Sequence, residues 1–361
     1  MKTYHGLSIL LFIHAVTDTV FSFTAGGISS NARRLSLHLS AKKVFIDGEV
    51  GTTGLQVRQR LESREDITII SPPSDLRKDK ETRRKYINEA DAVILCLPDA
   101  ASIEAANMVD PTNDRTVIID ASTAFRVNDD WTYGFAELSR SQREAISNSK
   151  RISNPGCYPT GFIALIRPLV ENGIILEGTA LTCNAISGYS GGGKDLMEIY
   201  ESGDAEPWGA YGFGLKHKHT PEMSKYTGLN MAPIFQPAVG SFDQGMVVSV
   251  PLHYQWLKDG IKGKDIHEAL SNSYADSVFV KVVPLGEDGA KESGLLERGA
   301  FLRPDSLKDT NKLELFVFYN DDDGQAVLSA RLDNLGKGAS GAAVQNLNLA
   351  LGLEETAGLN L

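Results

Sequence analysis

Lys43-Val44-Phe45-Ile46-Asp47-Gly48-Glu49-Val50-Gly51-Thr52-Thr53-Gly54 is the stretch whose reading settles the architecture. Its apolar first half predicts a buried strand. Its glycines, spaced G-x-x-G-x-x-G, predict a tight turn that opens a helix reaching Ser63. Such a turn lets the backbone approach a pyrophosphate closely, while the helix N-terminus supplies N–H donors and positive potential. A glycine trio alone also suits a plain strand-to-helix connection. What favours a nucleotide is context, because this is the first strand of an alternating pattern. Gly48, Gly51, Thr52, Thr53 and Gly54 are the candidate contacts.

The alternation continues outward, with strands predicted at 67–70, 92–97 and 117–120 and helices around 82–89 and 102–109. This is the pattern of a Rossmann-type, doubly wound parallel sheet in an α/β protein. The end of the second strand discriminates between dinucleotides. For NAD a carboxylate is expected about twenty residues on, to bind the ribose hydroxyls. Here the strand ends in Ser71, Pro72 and Pro73, with Arg77, Lys78 and Lys80 just beyond. A hydroxyl with nearby cations suits a 2′-phosphate, so the expected cofactor is NADP(H). Asp75 counts against this, and the basic run also suits a solvated helix start. Leu97 and Pro98, at the end of the third strand, complete the candidate wall.

Beyond a helix predicted at 159–170, longer strands rich in β-branched residues are expected at 179–185, 234–239, 245–252, 278–283, 313–319 and 326–332. Few helices intervene, which indicates a second α+β domain with a mixed or antiparallel sheet. A last helix at 339–351 carries an apolar stripe of Val344, Leu347 and Leu351, and is expected to return to the first domain. The expected division is a leader at 1–41, a dinucleotide domain at 42–156, a catalytic and oligomerisation domain at 157–333, and a returning C-terminal segment at 334–361.

The 361 residues are 42% hydrophobic and 23% charged, ordinary values for a globular chain, and the net charge of −10 argues against nucleic-acid binding. Three cysteines, Cys96, Cys157 and Cys183, are too few for a disulfide framework and point to a reducing compartment. The leader has two parts. An apolar run from Leu7 to Val16 after Lys2 resembles a signal peptide, and a Ser, Ala, Gly and Arg stretch from Ser22 to Ser40 without acidic residues resembles a transit segment. A plastid is expected ahead of a mitochondrion, with secretion last and no membrane anchor on the mature chain.

Chemistry concentrates in four motifs. Ser153-Asn154-Pro155-Gly156-Cys157-Tyr158-Pro159-Thr160-Gly161 places Cys157 in a turn opening a helix, where unpaired N–H groups and the helix dipole favour thiolate. A small buried hydrophobe is the other reading of a free cysteine. A thiolate beside a nicotinamide suggests acyl and aldehyde chemistry, which requires a proton carrier. Lys216-His217-Lys218-His219-Thr220-Pro221-Glu222 offers His217 and His219, and either one suits that role. His-x-His is also half of a zinc site, but no cysteine or third histidine is spaced to complete it, so no metal is expected. Asp120-Ala121-Ser122-Thr123-Ala124-Phe125-Arg126 supplies Arg126 and Ser122 toward an anionic substrate. Ser187-Gly188-Tyr189-Ser190-Gly191-Gly192-Gly193-Lys194 either cradles an anion or the nicotinamide amide, with Gly191, Gly192 and Lys194 as contacts, or is a flexible turn.

With these motifs in this order, followed by Gly338-Ala339-Ser340-Gly341-Ala342-Ala343-Val344-Gln345-Asn346, the chain from about Lys42 onward resembles the shorter subgroup of the N-acetyl-gamma-glutamyl-phosphate reductases. The resemblance implies NADPH-dependent reduction of an acyl phosphate to a semialdehyde in arginine biosynthesis. It also implies the fold of the aspartate-semialdehyde and glyceraldehyde-phosphate dehydrogenases, and a dimer or tetramer. Cys157 matches the nucleophile, His217 and His219 the paired histidines, and Glu222 an acid that orients a histidine or the substrate. Asn334 joins the cofactor contacts. Phe125 departs from the subgroup, which tends to carry histidine there. Two rivals remain at this stage: a relative acting on aspartyl or carrier-bound aminoadipyl phosphate, and a redox sensor in which Cys157 is oxidised.

Overall fold

The structure, a computed structural model, describes residues 40–361 except Asp204. All but the last two residues of the expected leader lie outside the described residues.

A six-stranded sheet forms first. Its strands are β1 (Lys42–Asp47), β2 (Ile67–Ile70), β3 (Ala92–Leu95), β4 (Val117–Asp120), β5 (Thr132–Tyr133) and β6 (Arg151–Ser153), and every pairing in the order β2-β1-β3-β4-β6-β5 is parallel. Alternate residues serve opposite faces. Val44 and Ile46 join Ile94 and Ile119 under helix α1 (Thr52–Leu61), while Phe45, Val93, Leu95 and Ile118 pack toward α2 (Lys80–Glu89) and α3 (Asp99–Ala106). Burial on both faces is why these strands read as continuous apolar runs. The order reverses between β2 and β3 around β1, so a crevice opens at the carboxyl ends of β1 and β3.

The third strand stops at Leu95, short of the expected Leu97, because the chain leaves the sheet there; Pro98 then becomes the N-cap of α3, which starts three residues earlier than its periodicity suggested. Helix α4 (Gln142–Ser147) lies between β5 and β6, and α5 (Cys157–Glu171) leads into the second half. Pro168 inside α5 frees the carbonyl of Ala164, and the Tyr274 hydroxyl donates to it at 2.9 Å.

The second half alternates β7 (Thr182–Gly188), α6 (Lys194–Glu201), β8 (Trp208–Ala210), α7 (Thr220–Thr227), β9 (Ile234–Gly240), β10 (Met246–His253), α8 (Gly263–Tyr274), β11 (Val280–Val282), α9 (Gly286–Glu292), β12 (Leu313–Asn320) and β13 (Gln325–Leu332). These strands form one mixed sheet, β11-β12-β13-β10-β7-β9-β8, with parallel pairs only at its β11–β12 and β7–β9 contacts. One face carries the main core: Phe162, Ile163 and Ile166 of α5 and Ile266 and Leu270 of α8 bury against Val248, Leu315 and Leu328. The opposite face leaves Ile234, Val327 and the nearby Trp208 and Phe213 exposed.

The chain ends in a turn of π-helix, Gly336–Ser340, that runs straight into α10 (Gly341–Leu351). Ala343, Val344 and Leu347 of α10 pack into the core of the first sheet with Val57 and Leu61 of α1. The π-turn thereby sits where the two sheets meet.

Candidate active site

Gly156, extended at φ −75° and ψ 152°, is the N-cap of α5, and Cys157 is the first helical residue. No side chain of the turn itself caps the helix. The carboxylate of Glu222, on α7, accepts the Gly156 N–H at 2.8 Å, the Tyr133 hydroxyl at 2.6 Å and the Arg126 Nη1 at 3.3 Å. Arg126 is itself fixed, its Nε donating to the Asn154 carbonyl at 3.0 Å and its Nη2 to that of Ala121 at 3.1 Å. The fit is tight enough to require glycine at 156. A Cβ there would lie 2.5 Å from Arg126 Nη1, 2.9 Å from His219 Nε2 and 3.0 Å from Glu222 Oε2. Arg126, His219 and Glu222 thus converge on the residue before the cysteine. From the other side the π-turn closes in, since a Cβ on Gly338 would lie 2.8 Å from the Cys157 Cβ. Asn154 Nδ2 pins the two segments by donating to the Ala339 carbonyl at 3.0 Å.

Cys157 is partly exposed and walls a cavity of about 520 Å³ with Tyr158, Gly191, Gly192, His217, Lys218 and His219 among its lining. Burial pushes its thiol up from the ordinary cysteine range, while the Arg126 guanidinium and the Tyr158 and Cys157 backbone N–H groups pull the other way. The net direction is upward, so burial works against the thiolate that the helix N-terminus alone favours. His219 is almost wholly enclosed. Burial first, then the Arg126 charge, holds its imidazole well below the ordinary histidine value. His217 is lowered too, by burial and by Lys218. The His217 Nδ1 accepts the backbone N–H of His219 at 3.2 Å, which fixes the proton of a neutral ring on Nε2.

The glycine loop builds a second cavity of about 430 Å³ at the ends of β1 and β3, lined by Gly48, Glu49, Pro72, Arg77, Lys78 and Leu97 among others. Gly48 has φ +93°, and a Cβ on it would lie 2.3 Å from the Cys96 carbonyl oxygen. A Cβ on Gly54 would lie 2.3 Å from the Gly48 carbonyl oxygen, so α1 can approach the loop only as glycine allows. Gly51 caps α1 with no side-chain acceptor, leaving the first-turn N–H groups from Thr52 and Thr53 onward for an anion. Glycine cradle, open helix N-terminus and cationic rim together fit a dinucleotide phosphate.

Other residues singled out from the sequence have different surroundings. Ser122 Oγ donates to Asp120 Oδ2 at 2.7 Å and accepts the Ala124 N–H at 3.1 Å, which holds the turn after β4. Asn334 is buried with both polar atoms occupied: its Oδ1 accepts the Gly245 N–H at 2.7 Å, and its Nδ2 donates to Ser190 Oγ at 3.0 Å. It braces the glycine turn that holds Gly191. Lys194 opens α6 exposed, outside the cavity wall. Phe125 stacks on Trp131 with ring centroids 3.9 Å apart. Among the described residues, no group of three or more His, Cys, Asp or Glu is placed to hold a metal ion, and no helix is long and apolar enough to cross a membrane. Three polar groups went unread in the sequence: Tyr133, which holds Glu222, and Glu49 with Arg58, which hold Ser71.

Residues 33–148 match the family described as semialdehyde dehydrogenase, NAD binding domain, and residues 157–334 the family described as semialdehyde dehydrogenase, dimerisation domain, so the two sheets and the cysteine turn at their junction fall within the semialdehyde dehydrogenase class. Over 89% of its length the chain is 47% identical to N-acetyl-gamma-glutamyl-phosphate reductase 2 of Nostoc sp., all of which is covered. It is 48% identical over 86% of its length to the N-acetyl-gamma-glutamyl-phosphate reductase of Chelativorans sp., covering 98% of that protein. The chain belongs to the N-acetyl-gamma-glutamyl-phosphate reductase family. Its fold is similar to that of aspartate semialdehyde dehydrogenase from Francisella tularensis, with a TM-score of 0.63 at 16% identity over 85% of this chain and 99% of that one.

Proposed function

We propose that this chain reduces N-acetyl-glutamyl 5-phosphate to N-acetyl-glutamate 5-semialdehyde with release of phosphate, using NADPH, and that Cys157 carries the acyl group. The observation that carries the reading is the convergence of Arg126, His219 and Glu222 on Gly156, immediately before a cysteine that opens onto a cavity.

The Cys157 sulfur attacks the acyl carbon as its proton passes to His219, whose neutral, buried imidazole is ready to accept it. The carbonyl oxygen takes up negative charge near the first N–H groups of α5. Phosphate departs toward Arg126 and Lys218, leaving a thioester on Cys157. Reduced NADP, when bound, supplies the hydride that converts the thioester carbon to a thiohemiacetal carbon. His219 returns the proton it took from sulfur to the oxygen that hydride addition leaves charged, takes it back as the carbon–sulfur bond breaks and the sulfur leaves with the bonding electrons, and finally restores it to the thiolate. Glu222 acts as a positioning residue that fixes the Gly156 turn and Arg126. His217 orients the chain at His219 through its backbone N–H and faces the same cavity.

Gly48, Gly51, Thr52, Thr53 and Gly54 are proposed to hold the pyrophosphate, Ser71 and Arg77 the adenosine end, Leu97 and Pro98 the passage between, and Gly191 and Gly192 the nicotinamide side. The proposed division keeps 42–156 as dinucleotide domain and 157–333 as catalytic and oligomerisation domain. A homo-oligomer, dimer or tetramer, would cover the exposed sheet face with Ile234 and Val327; the family description of residues 157–334 as a dimerisation domain supports this. The composition of residues 1–41 supports a targeting leader, with a plastid as the proposed destination.

Mixing the protein with the acyl phosphate in the absence of dinucleotide tests the core of this reading. Intact-mass analysis should find an acyl adduct on Cys157, and Cys157→Ser should abolish adduct and turnover while NADPH still binds. A sulfenic acid or disulfide on Cys157 without acylation, or turnover retained by the serine variant, would overturn it.

A further inference from the structure

NADP and NAD differ only by the phosphate on the 2′ oxygen of the adenosine ribose, and in a doubly wound sheet that oxygen lies at the end of β2. The sequence places Ser71 there with no carboxylate beside it. The folded chain supplies one from elsewhere. Glu49, the second residue of the glycine loop, turns its side chain so that Oε2 accepts the Ser71 hydroxyl at 3.0 Å. Arg58 of α1 holds the pair, its Nη1 donating to Glu49 Oε2 at 2.8 Å and to Ser71 Oγ at 3.3 Å. Glu49 is mostly covered, with 17% of its side chain exposed, and it lines the crevice together with Arg77 and Lys78.

This crevice carries both recognition chemistries at once. A carboxylate at the strand end accepts a ribose hydroxyl and repels a phosphate dianion, whereas Arg77 and Lys78 attract the phosphate. Arg58 partly neutralises the carboxylate, which softens the repulsion without removing the acceptor. We infer that Glu49 sets the balance between the two dinucleotides, and that the site accepts NADH as well as NADPH. Glu49 is thus a specificity-determining residue, delivered by the glycine loop and tuned by Arg58. The inference rests on the reading of the crevice as the dinucleotide site.

The test is a pair of dissociation constants, for NADPH and NADH, measured by nicotinamide fluorescence and by calorimetry on the full chain. The wild type should bind both. Glu49→Gln keeps the shape and removes the charge, so NADPH should bind more tightly and NADH more weakly. The ratio of the NADH to the NADPH constant should rise by about tenfold, the scale of one lost charge repulsion screened at a protein surface. Arg58→Met should move the ratio the opposite way, because it leaves the carboxylate without its cation. A ratio unchanged or lowered by Glu49→Gln overturns the inference. Should that variant fail to fold, an unchanged or raised ratio in Arg58→Met overturns it equally. Wild-type binding of NADPH with no measurable binding of NADH refutes the dual acceptance alone, and binding of neither dinucleotide removes the crevice reading beneath it.

Discussion

Arg126→Gln is the perturbation that most directly probes how the thiol is tuned. The guanidinium is buried, with 9% of its side chain exposed, and it lies 3.3 Å from Glu222, whose side chain is 1% exposed. Glutamine is too short to reach Glu222 and the carbonyls of Asn154 and Ala121 together. Removing one partner of a buried pair costs about 3–5 kcal/mol. Glu222 keeps the Gly156 and Tyr133 donors, so the lower end, about 3 kcal/mol, is expected. The effect on Cys157 has a definite sign. Burial raises the thiol, Arg126 is the foremost influence lowering it, and Glu222 raises it. Loss of the cation therefore moves the thiol upward, and the newly unpaired carboxylate pushes it the same way. An opposite charge close to a titrating group typically moves it by about 1–3 pH units, so a shift of about two is expected. Alkylation of Cys157 by iodoacetamide, followed across pH by peptide mass, should shift its midpoint upward by about that amount and slow by about a hundredfold near neutrality. Cys96 and Cys183 serve as internal references on their own peptides. A midpoint that stays or falls, in a variant whose thermal melt shows it folded, would refute the assignment of Arg126 as the thiol's electrostatic partner.

Two further outcomes follow from the geometry. Gly48→Ala forces an L side chain into a φ of +93° with its Cβ 2.3 Å from a backbone oxygen that cannot turn away; NADPH titration should show binding weakened by at least about tenfold with a stability loss of about 1–3 kcal/mol, and wild-type affinity would contradict the cradle. His219 is held well below 6.5 in the folded chain by burial and by Arg126, whereas the unfolded chain protonates near 6.5, so the stability it contributes is full above that value and lost as pH falls beneath it. Unfolding free energies from denaturant titrations should decline by about 1.4 kcal/mol per pH unit there, and His219→Gln should flatten that slope; an unaltered slope would mean the ring is not enclosed as a neutral group.

Where one residue's neighbours in sequence are also its neighbours in space, the chain was readable in advance. The tetrads Ile67–Ile70 and Val117–Asp120 match their strands residue for residue: the second is buried throughout, and the first stops at the Ser71-Pro72-Pro73 breaker. Cys157, His217 and His219, which line one cavity, are legible as candidates because each motif encodes its own turn. What stayed hidden depends on long-range contacts. Thr132–Tyr133 is a strand of two residues, too short to show any period, yet it brings the Tyr133 hydroxyl to Glu222, 89 positions away. Glu49 looks like a spacer between glycines, and only the folded loop carries it to Ser71, 22 positions on. The helix Gly263–Tyr274 carries Ile266, Leu270 and Tyr274 at every fourth residue, but this short stripe stands among mostly polar neighbours between strand-rich segments and gives little signal in sequence.

The resting state of the site follows from these positions together. A cysteine at a helix N-terminus is often taken to be ionised, but here burial pushes the thiol up, and burial also holds the His219 imidazole well below its ordinary value. A neutral thiol and a neutral imidazole in one enclosed site cost less than a thiolate and an imidazolium that lack an electrophile to resolve them. Arg126 acts on both groups, drawing the thiol down and disfavouring a proton on His219. It therefore favours the thiolate while keeping the ring unprotonated, though a weaker base, and Glu222 limits the effect by neutralising it. In the proposed reaction an incoming acyl phosphate would bring negative charge that competes with Glu222 for that cation, and its carbonyl carbon would accept the sulfur's electrons as the proton moves. Under that proposal charge separation would arise only with substrate in place, which would tie nucleophile activation to occupancy and leave the idle sulfur in its less oxidisable form.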